Sequence, residues 1–147
     1  MEKDPRCKVG ALLSTPTSSS VRSWGIRVRE IIERYCESAA FYVAEANFEE
    51  ALQYLAELAP RRGIREDVWR ESLSRVMAAV QIIRHEELAS AESEARARIG
   101  ARDADDWPAV AGALQFDCPV WTEDKDFFGS GVATWTTATV EIFLSAN

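Results

Sequence analysis

Apolar positions recur along this chain in two rhythms. Val28, Ile31, Ile32 and Tyr35 follow one another at helical spacing, as do Phe48, Leu52, Leu55 and Leu58, and then Val68, Trp69, Leu73 and Val76. Between these stretches lie short apolar runs that read as strands: AAFYVA (39–44), VQII (80–83), CPVWT (118–122) and VATW (132–135). The spacing predicts helices over about 46–59, with Pro60 after the end, and over 65–79. It predicts a charged helix over 86–99 closed by Gly100 as a C-cap. A further helix carries Trp107, Val110, Ala111 and Leu114 inward, and TATVEIFLSA closes the chain as a helix. Residues 14–20, STPTSSS, read as a polar loop, and 61–63 as a turn. Strands alternating with helices imply a mostly parallel sheet covered on both faces, a three-layer α/β/α sandwich formed by residues 1–147 as one domain.

Composition leaves that picture standing and narrows the setting. A chain of 147 residues, 47% hydrophobic and 28% charged, buries a core without staples. No apolar run approaches the ~18 residues of a membrane helix, and MEKDPRCKVGALLS lacks the long apolar segment of a signal peptide. Cys7, Cys36 and Cys118 are odd in number and far apart, which fits neither a zinc pattern nor a disulfide framework and suggests a reduced, cytoplasmic setting.

Charge changes the picture more. The net charge is −7, yet residues 103–126 hold seven acids and one base, a net of −6. Asp103, Asp105 and Asp106 precede an apolar helix that has Pro108 in its first turn. Asp124 and Asp126 follow the strand CPVWT, at the carboxyl end where parallel sheets place their sites. Two readings stand. Asp103 or Asp105 can cap the helix and gain from its dipole, about 0.3–1 kcal/mol each, with the remaining acids as solvated turn charge. Alternatively, carboxylates converging from two chain segments hold a hard divalent cation such as Mg²⁺ or Mn²⁺, which prefers oxygen ligands and can activate water against a phosphate.

The run RDADDWPAVAGAL (102–114), then CPVWTEDKDF (118–127), then GVATWTT (131–137), resembles the C-terminal half of PIN-domain proteins, a group that contains the VapC-type toxins and related nucleases. It is most similar to a subgroup with Arg-Asp-x-Asp-Asp-Trp-Pro and Trp-Thr at the strand end. The resemblance implies a single-strand RNA endonuclease dependent on Mg²⁺ or Mn²⁺, with a cluster of three or four acids. It implies Asp106 as the helix-start acid, with Asp103 and Asp105 beside it, and Asp124 and Asp126 as the last acids. It places a glutamate in AEANFEEALQYL, with Glu50 the best match and Glu45 and Glu49 the alternatives; an ordinary solvated helix face is the competing reading. Thr122, at the strand end, is a candidate for orienting ligand or water.

The N-terminus departs from the family pattern of an apolar strand, then Asp-x-Asn-x-Leu, then a short apolar helix. Aligning VGALLS with that helix puts Asp4 on the essential aspartate, Arg6 in place of the asparagine and Lys8 in place of an apolar residue. Arg6 could then pair with the carboxylates and occupy the metal's place. In the competing reading Asp4 has no role, the first strand is truncated, and CKVGALL serves as a shifted strand.

Other residues add less. His85 is the lone histidine and cannot build a histidine metal cluster, and Ser18–Ser20 have no partner for a hydrolase triad. Trp107, Trp121 and Trp135 fall on apolar faces, whereas Trp24 and Trp69 are candidates for an interface. Arg61, Arg62, Arg65, Arg96, Arg98, Arg102 and Lys125 could touch RNA phosphates or be solvated charge. The expected function is a metal-dependent ribonuclease, the toxin of a toxin–antitoxin pair. Single-stranded or structured RNA, a protein antitoxin and a second copy of the chain are its expected partners, and no membrane is expected. The alternative is a degenerate PIN-fold binding module without turnover. A phosphotransfer or receiver protein is a third class, disfavoured by the lack of a strand-end Asp-x-Asp with a lysine on a later strand.

Overall fold

The computed structural model describes residues 9–13 and 24–146. Five parallel strands form one sheet in the order β3-β2-β1-β4-β5, with β1 at Val9–Leu13, β2 at Ala39–Ala44, β3 at Val80–Ile83, β4 at Val120–Trp121 and β5 at Thr134–Trp135. The shifted strand is the one the fold uses: VGALL is central, pairing Val9 with Ala39 through Leu13 with Val43 on one side and Leu12 with Val120 on the other. Asp4, Arg6 and Lys8 lie outside the described residues.

The helices are α1 (Arg29–Tyr35), α2 (Glu45–Arg61), α3 (Glu66–Ala79), α4 (Glu92–Ile99), α5 (Trp107–Phe116) and α6 (Val140–Ser145). A π-helical turn at Trp24–Val28 leads into α1. Strand alternation sorts the core into two layers. Ala11, Leu13, Phe41, Val43 and Trp121 point to the face covered by α1, α3 and α6, where Ile31, Ile32, Val76, Val140 and Leu144 meet them. Ala44 and Val120 point to the opposite face, covered by Leu88, Ile99, Val110, Ala111 and Phe127. The result is the expected α/β/α sandwich with a parallel sheet buried on both sides.

Several expectations are corrected by local chemistry. The segment 86–99 is two pieces, a 3-10 helix at His85–Ala91 and then α4. Pro60 lies inside the last turn of α2. β4 is shorter than CPVWT because Pro119 has no N–H to donate and the Cys118 N–H closes α5 on Ala113 O at 3.1 Å. β5 shrinks with it, pairing only Thr134 and Trp135. Gly100 is the C-cap of α4, in a right-handed conformation. Trp69 is no exposed interface residue. It is 7% exposed, packed with Leu55, Ala59 and Leu73 between α2 and α3, with the Arg70 guanidinium 4.8 Å from its ring. The Trp24 side chain lies outside what is described. Among the described residues, no helix is long and apolar enough to cross a membrane.

Candidate metal centre

Because every strand is parallel, all five carboxyl ends lie at one edge of the sheet. Among the described residues, the start of α2 after β2, the start of the 3-10 helix after β3, the turn before α5, the loop after β4 and the turn after β5 reach it. Two of them bring three carboxylates together. Asp103 and Asp106 come from the turn before α5, Asp126 comes from the short 3-10 helix Lys125–Phe127, and one oxygen from each lies within 4.8 Å of the others. All three are half-buried.

The N-cap position of α5, expected of Asp103 or Asp105, falls instead on Asp106, yet the Asp106 side chain makes no cap hydrogen bond. Its backbone, at φ −88° and ψ −3°, is not the extended conformation that aims a side-chain oxygen at the first N–H groups. Pro108, in the first turn, removes one of the donors a cap would use. One carboxylate oxygen, Oδ2, is buried with no hydrogen-bond partner. Its pKa is pushed up to about 7, first by burial and then by the negative charges of Asp103, Asp124, Glu50 and Asp126. A buried carboxylate without partners costs free energy in either protonation state, and a cation among the three oxygens relieves it. The donor set, carboxylate oxygens alone, suits Mg²⁺, Ca²⁺ or Mn²⁺ and not a soft metal.

The other predicted acids take distinct places. Asp103 Oδ1 accepts the Asp105 N–H at 2.9 Å, which folds the turn and leaves the Asp105 side chain exposed. Asp124 lies close enough to raise the Asp106 pKa, and its Oδ1 accepts the Asp126 N–H at 2.9 Å. Thr122 is buried at the end of β4; its Oγ1 accepts the Asp124 N–H at 3.0 Å, and its own N–H donates to Trp135 O at 2.9 Å. Thr122 therefore orients the acid loop from beneath. Glu50 stands exposed on α2 within electrostatic reach of Asp106. Glu45 instead accepts the His85 N–H at 3.3 Å, tying α2 to the end of β3, and Glu49 is exposed. The His85 ring meets the edge of Trp107, whose face carries the Arg96 guanidinium at 4.7 Å. Glu123, which sequence reading left without a role, accepts the Thr137 N–H at 2.6 Å and joins the ends of β4 and β5. Arg98 and Arg102, read as phosphate contacts or solvated charge, donate to backbone carbonyls of the loop 126–130.

The sequence model of the PIN domain matches residues 18–145. The chain belongs to the PIN-domain family. PIN domains are metal-dependent nucleases, so membership supports a hydrolase that acts on nucleic acid and uses a divalent metal, in agreement with the three-aspartate group. Among solved structures, the chain is similar to the protein of the crystal structure titled PAE2754 from Pyrobaculum aerophilum, at 17% identity and a TM-score of 0.66, over 96% of this chain and 100% of that one. That likeness speaks for the fold. No curated protein matches the chain.

Proposed function

We propose that this PIN domain is a single-strand RNA endonuclease that uses Mg²⁺ or Mn²⁺ and acts as the toxin of a toxin–antitoxin pair in the cytoplasm, as a homodimer. The observation that carries the nuclease reading is the unpartnered Asp106 Oδ2 beside Asp103 and Asp126. Asp106, Asp103 and Asp126 would hold the ion, with Asp124 and Glu50 adding negative charge around it. When bound there, the cation supplies the Lewis acidity that activates water for in-line attack on a phosphodiester and stabilises the departing oxygen. The chain's own part is orientation. Thr122 fixes the Asp124 backbone, and Asp124 in turn fixes the Asp126 N–H, so the acid loop is set before substrate arrives. Asp106 gives up its proton at about neutral pH, which makes the site competent for a cation in a physiological range. Asp4 lies outside the described residues, and the alignment that put it on the family's aspartate read VGALL as the following helix; VGALL is β1, so the family pattern does not support Asp4 as a ligand.

A second reading is favoured by a specific observation. β1 is the central strand, and the first acidic residue after it in the sequence is Glu30, which sits on α1 beside Arg27 at 3.6 Å. A chain whose central strand sends no acid to the cluster fits a binding module that keeps the fold without turnover. One experiment separates the two. A labelled single-stranded RNA is incubated with the protein and Mn²⁺, with EDTA and Asp106→Asn as controls. Metal-dependent cleavage lost in the variant supports the enzyme. Metal-dependent RNA binding without cleavage supports the module, and neither behaviour would refute both.

A further inference from the structure

The three carboxylates come from two chain segments that repel each other, and one side chain ties those segments together. Arg102 begins the turn that carries Asp103 and Asp106; its N–H and that of Asp103 both donate to Ile99 O, at 2.9 and 3.0 Å, so the residue is anchored to the end of α4. From there its guanidinium crosses to the other segment. Nη1 donates to the Asp126 carbonyl at 3.0 Å and to the Phe128 carbonyl. The loop is shaped to receive it. Gly129 has φ +86°, a conformation that favours glycine, and a Cβ there would lie 2.8 Å from Arg102 Nη2 and displace the guanidinium. Arg98 makes the neighbouring contact, with Nη1 donating to Ser130 O at 3.1 Å, and makes none to Asp126.

We propose that Arg102 is a positioning residue for the cation site, a clamp that holds the Asp126 backbone against the Asp103–Asp106 turn. The proposal rests on the reading of those three aspartates as the metal site. Arg102 donates to carbonyl oxygens and leaves the carboxylate oxygens to the ion. Both bonds are donated by Nη1, whose N–H directions are fixed in the rigid guanidinium plane, which a lysine ammonium on a flexible stem does not reproduce. With the clamp gone, like-charge repulsion separates the two segments, and a cation must pull them together at the expense of its affinity. Loss of a group that orients a ligand typically lowers metal affinity by about 10–100-fold.

The test is Mn²⁺ binding by calorimetry on the whole chain, with a thermal melt in EDTA for each protein. The set is wild type, Arg102→Ala, Arg102→Lys and, as a control on the same loop, Arg98→Ala. The expected result is Mn²⁺ affinity lowered about tenfold or more in both Arg102 variants and within about twofold of wild type in Arg98→Ala. The lysine variant keeps the charge and guards against a misfolded alanine variant. The melts separate affinity from stability, since a merely structural loss would follow the melting temperature in all three variants. Wild-type affinity in Arg102→Lys would overturn the clamp while leaving the metal site intact. Absence of Mn²⁺ binding by the wild type would overturn the site reading and the clamp with it.

Discussion

Replacing Asp106 by asparagine tests the cost that the fold carries at this site. The carboxyl titrates at about 7 in the folded protein against 3.8 for the reference group. At full value that gap corresponds to about 4 kcal/mol. Asp106 is only half-buried and solvent screens its neighbours, so about 1–3 kcal/mol is expected to survive. The sign follows from proton counting. Between pH 3.8 and 7 the folded state holds this proton and the unfolded state has lost it. Stability therefore falls as pH rises through that window, and the whole cost is present above pH 7. Asp106→Asn removes the charge at nearly constant shape. In EDTA at pH 8 the variant should be more stable than wild type by about 1–3 kcal/mol, with the difference vanishing near pH 4, where the wild-type carboxyl is already neutral. Mn²⁺ should close or reverse the gap: at about 100 times its Kd it adds about 2.7 kcal/mol to a protein that binds it and nothing to the variant. Urea titrations at pH 4, 6 and 8, with EDTA and with Mn²⁺, read all of this. A variant no more stable than wild type at pH 8 in EDTA would refute the buried-charge argument. Equal stabilisation of both proteins by Mn²⁺ would refute the site.

Three further outcomes follow from the same geometry. Thr122→Val keeps the shape but leaves the Asp124 N–H without its acceptor, so urea unfolding should show a loss of about 1 kcal/mol and calorimetry a weaker Mn²⁺ site; unchanged values for both would remove Thr122 from the loop's support. Trp69→Ala empties the contact between α2 and α3 and should cost about 3–5 kcal/mol at any protein concentration; a cost that grows with dilution would instead place Trp69 at an interface. Burial pushes the Cys118 thiol up to about 12, so iodoacetamide at pH 8 should label Cys36 well before Cys118, as read by peptide mass spectrometry, and equal rates would contradict the burial.

The fold was legible where hydrophobic rhythm decides it. AAFYVA and VQII are strands at the expected residues, since a short apolar run between two helical stretches is readable from local sequence. The strand ends were not legible, since the Pro119 ring and the Cys118 N–H bonded to α5 set where pairing begins. Periodicity placed Trp69 with Leu73 and Val76, and there it is buried, but Val68 of the same set is 52% exposed, because which flank of the apolar stripe meets α2 is decided by packing. At the site, the sequence offered Asp103, Asp105, Asp106, Asp124 and Asp126 without deciding among them, and the oxygens of Asp103, Asp106 and Asp126 converge. The spacing could not tell that Asp124 spends one oxygen on the Asp126 N–H, or that Arg98 and Arg102 bond to main-chain carbonyls. A side chain that grips backbone leaves no partner residue type to find; the nearest signal is the pair Gly129 and Gly131, whose positive φ admits those guanidinium groups.

A cap and a cation site make opposite demands on Asp106, and its geometry supports the proposed cation site over a cap. A cap needs an extended backbone that aims its oxygen at the first-turn N–H groups; here the backbone is right-handed and the side chain makes no cap hydrogen bond. A cation site needs a carboxylate oxygen left open, like charges held close, and supports that do not neutralise them. Asp106 Oδ2 is left open, Asp103 and Asp126 are held within reach, and Thr122 and Arg102 bond to main-chain atoms. A fold that merely tolerated these acids would turn them to solvent or pair them with the nearby arginines. Instead Arg96 lies over Trp107, Arg98 reaches Glu94 and Ser130, and Arg102 reaches the loop carbonyls. Negative charge is thus kept in place at a standing cost in stability, which a bound cation would offset.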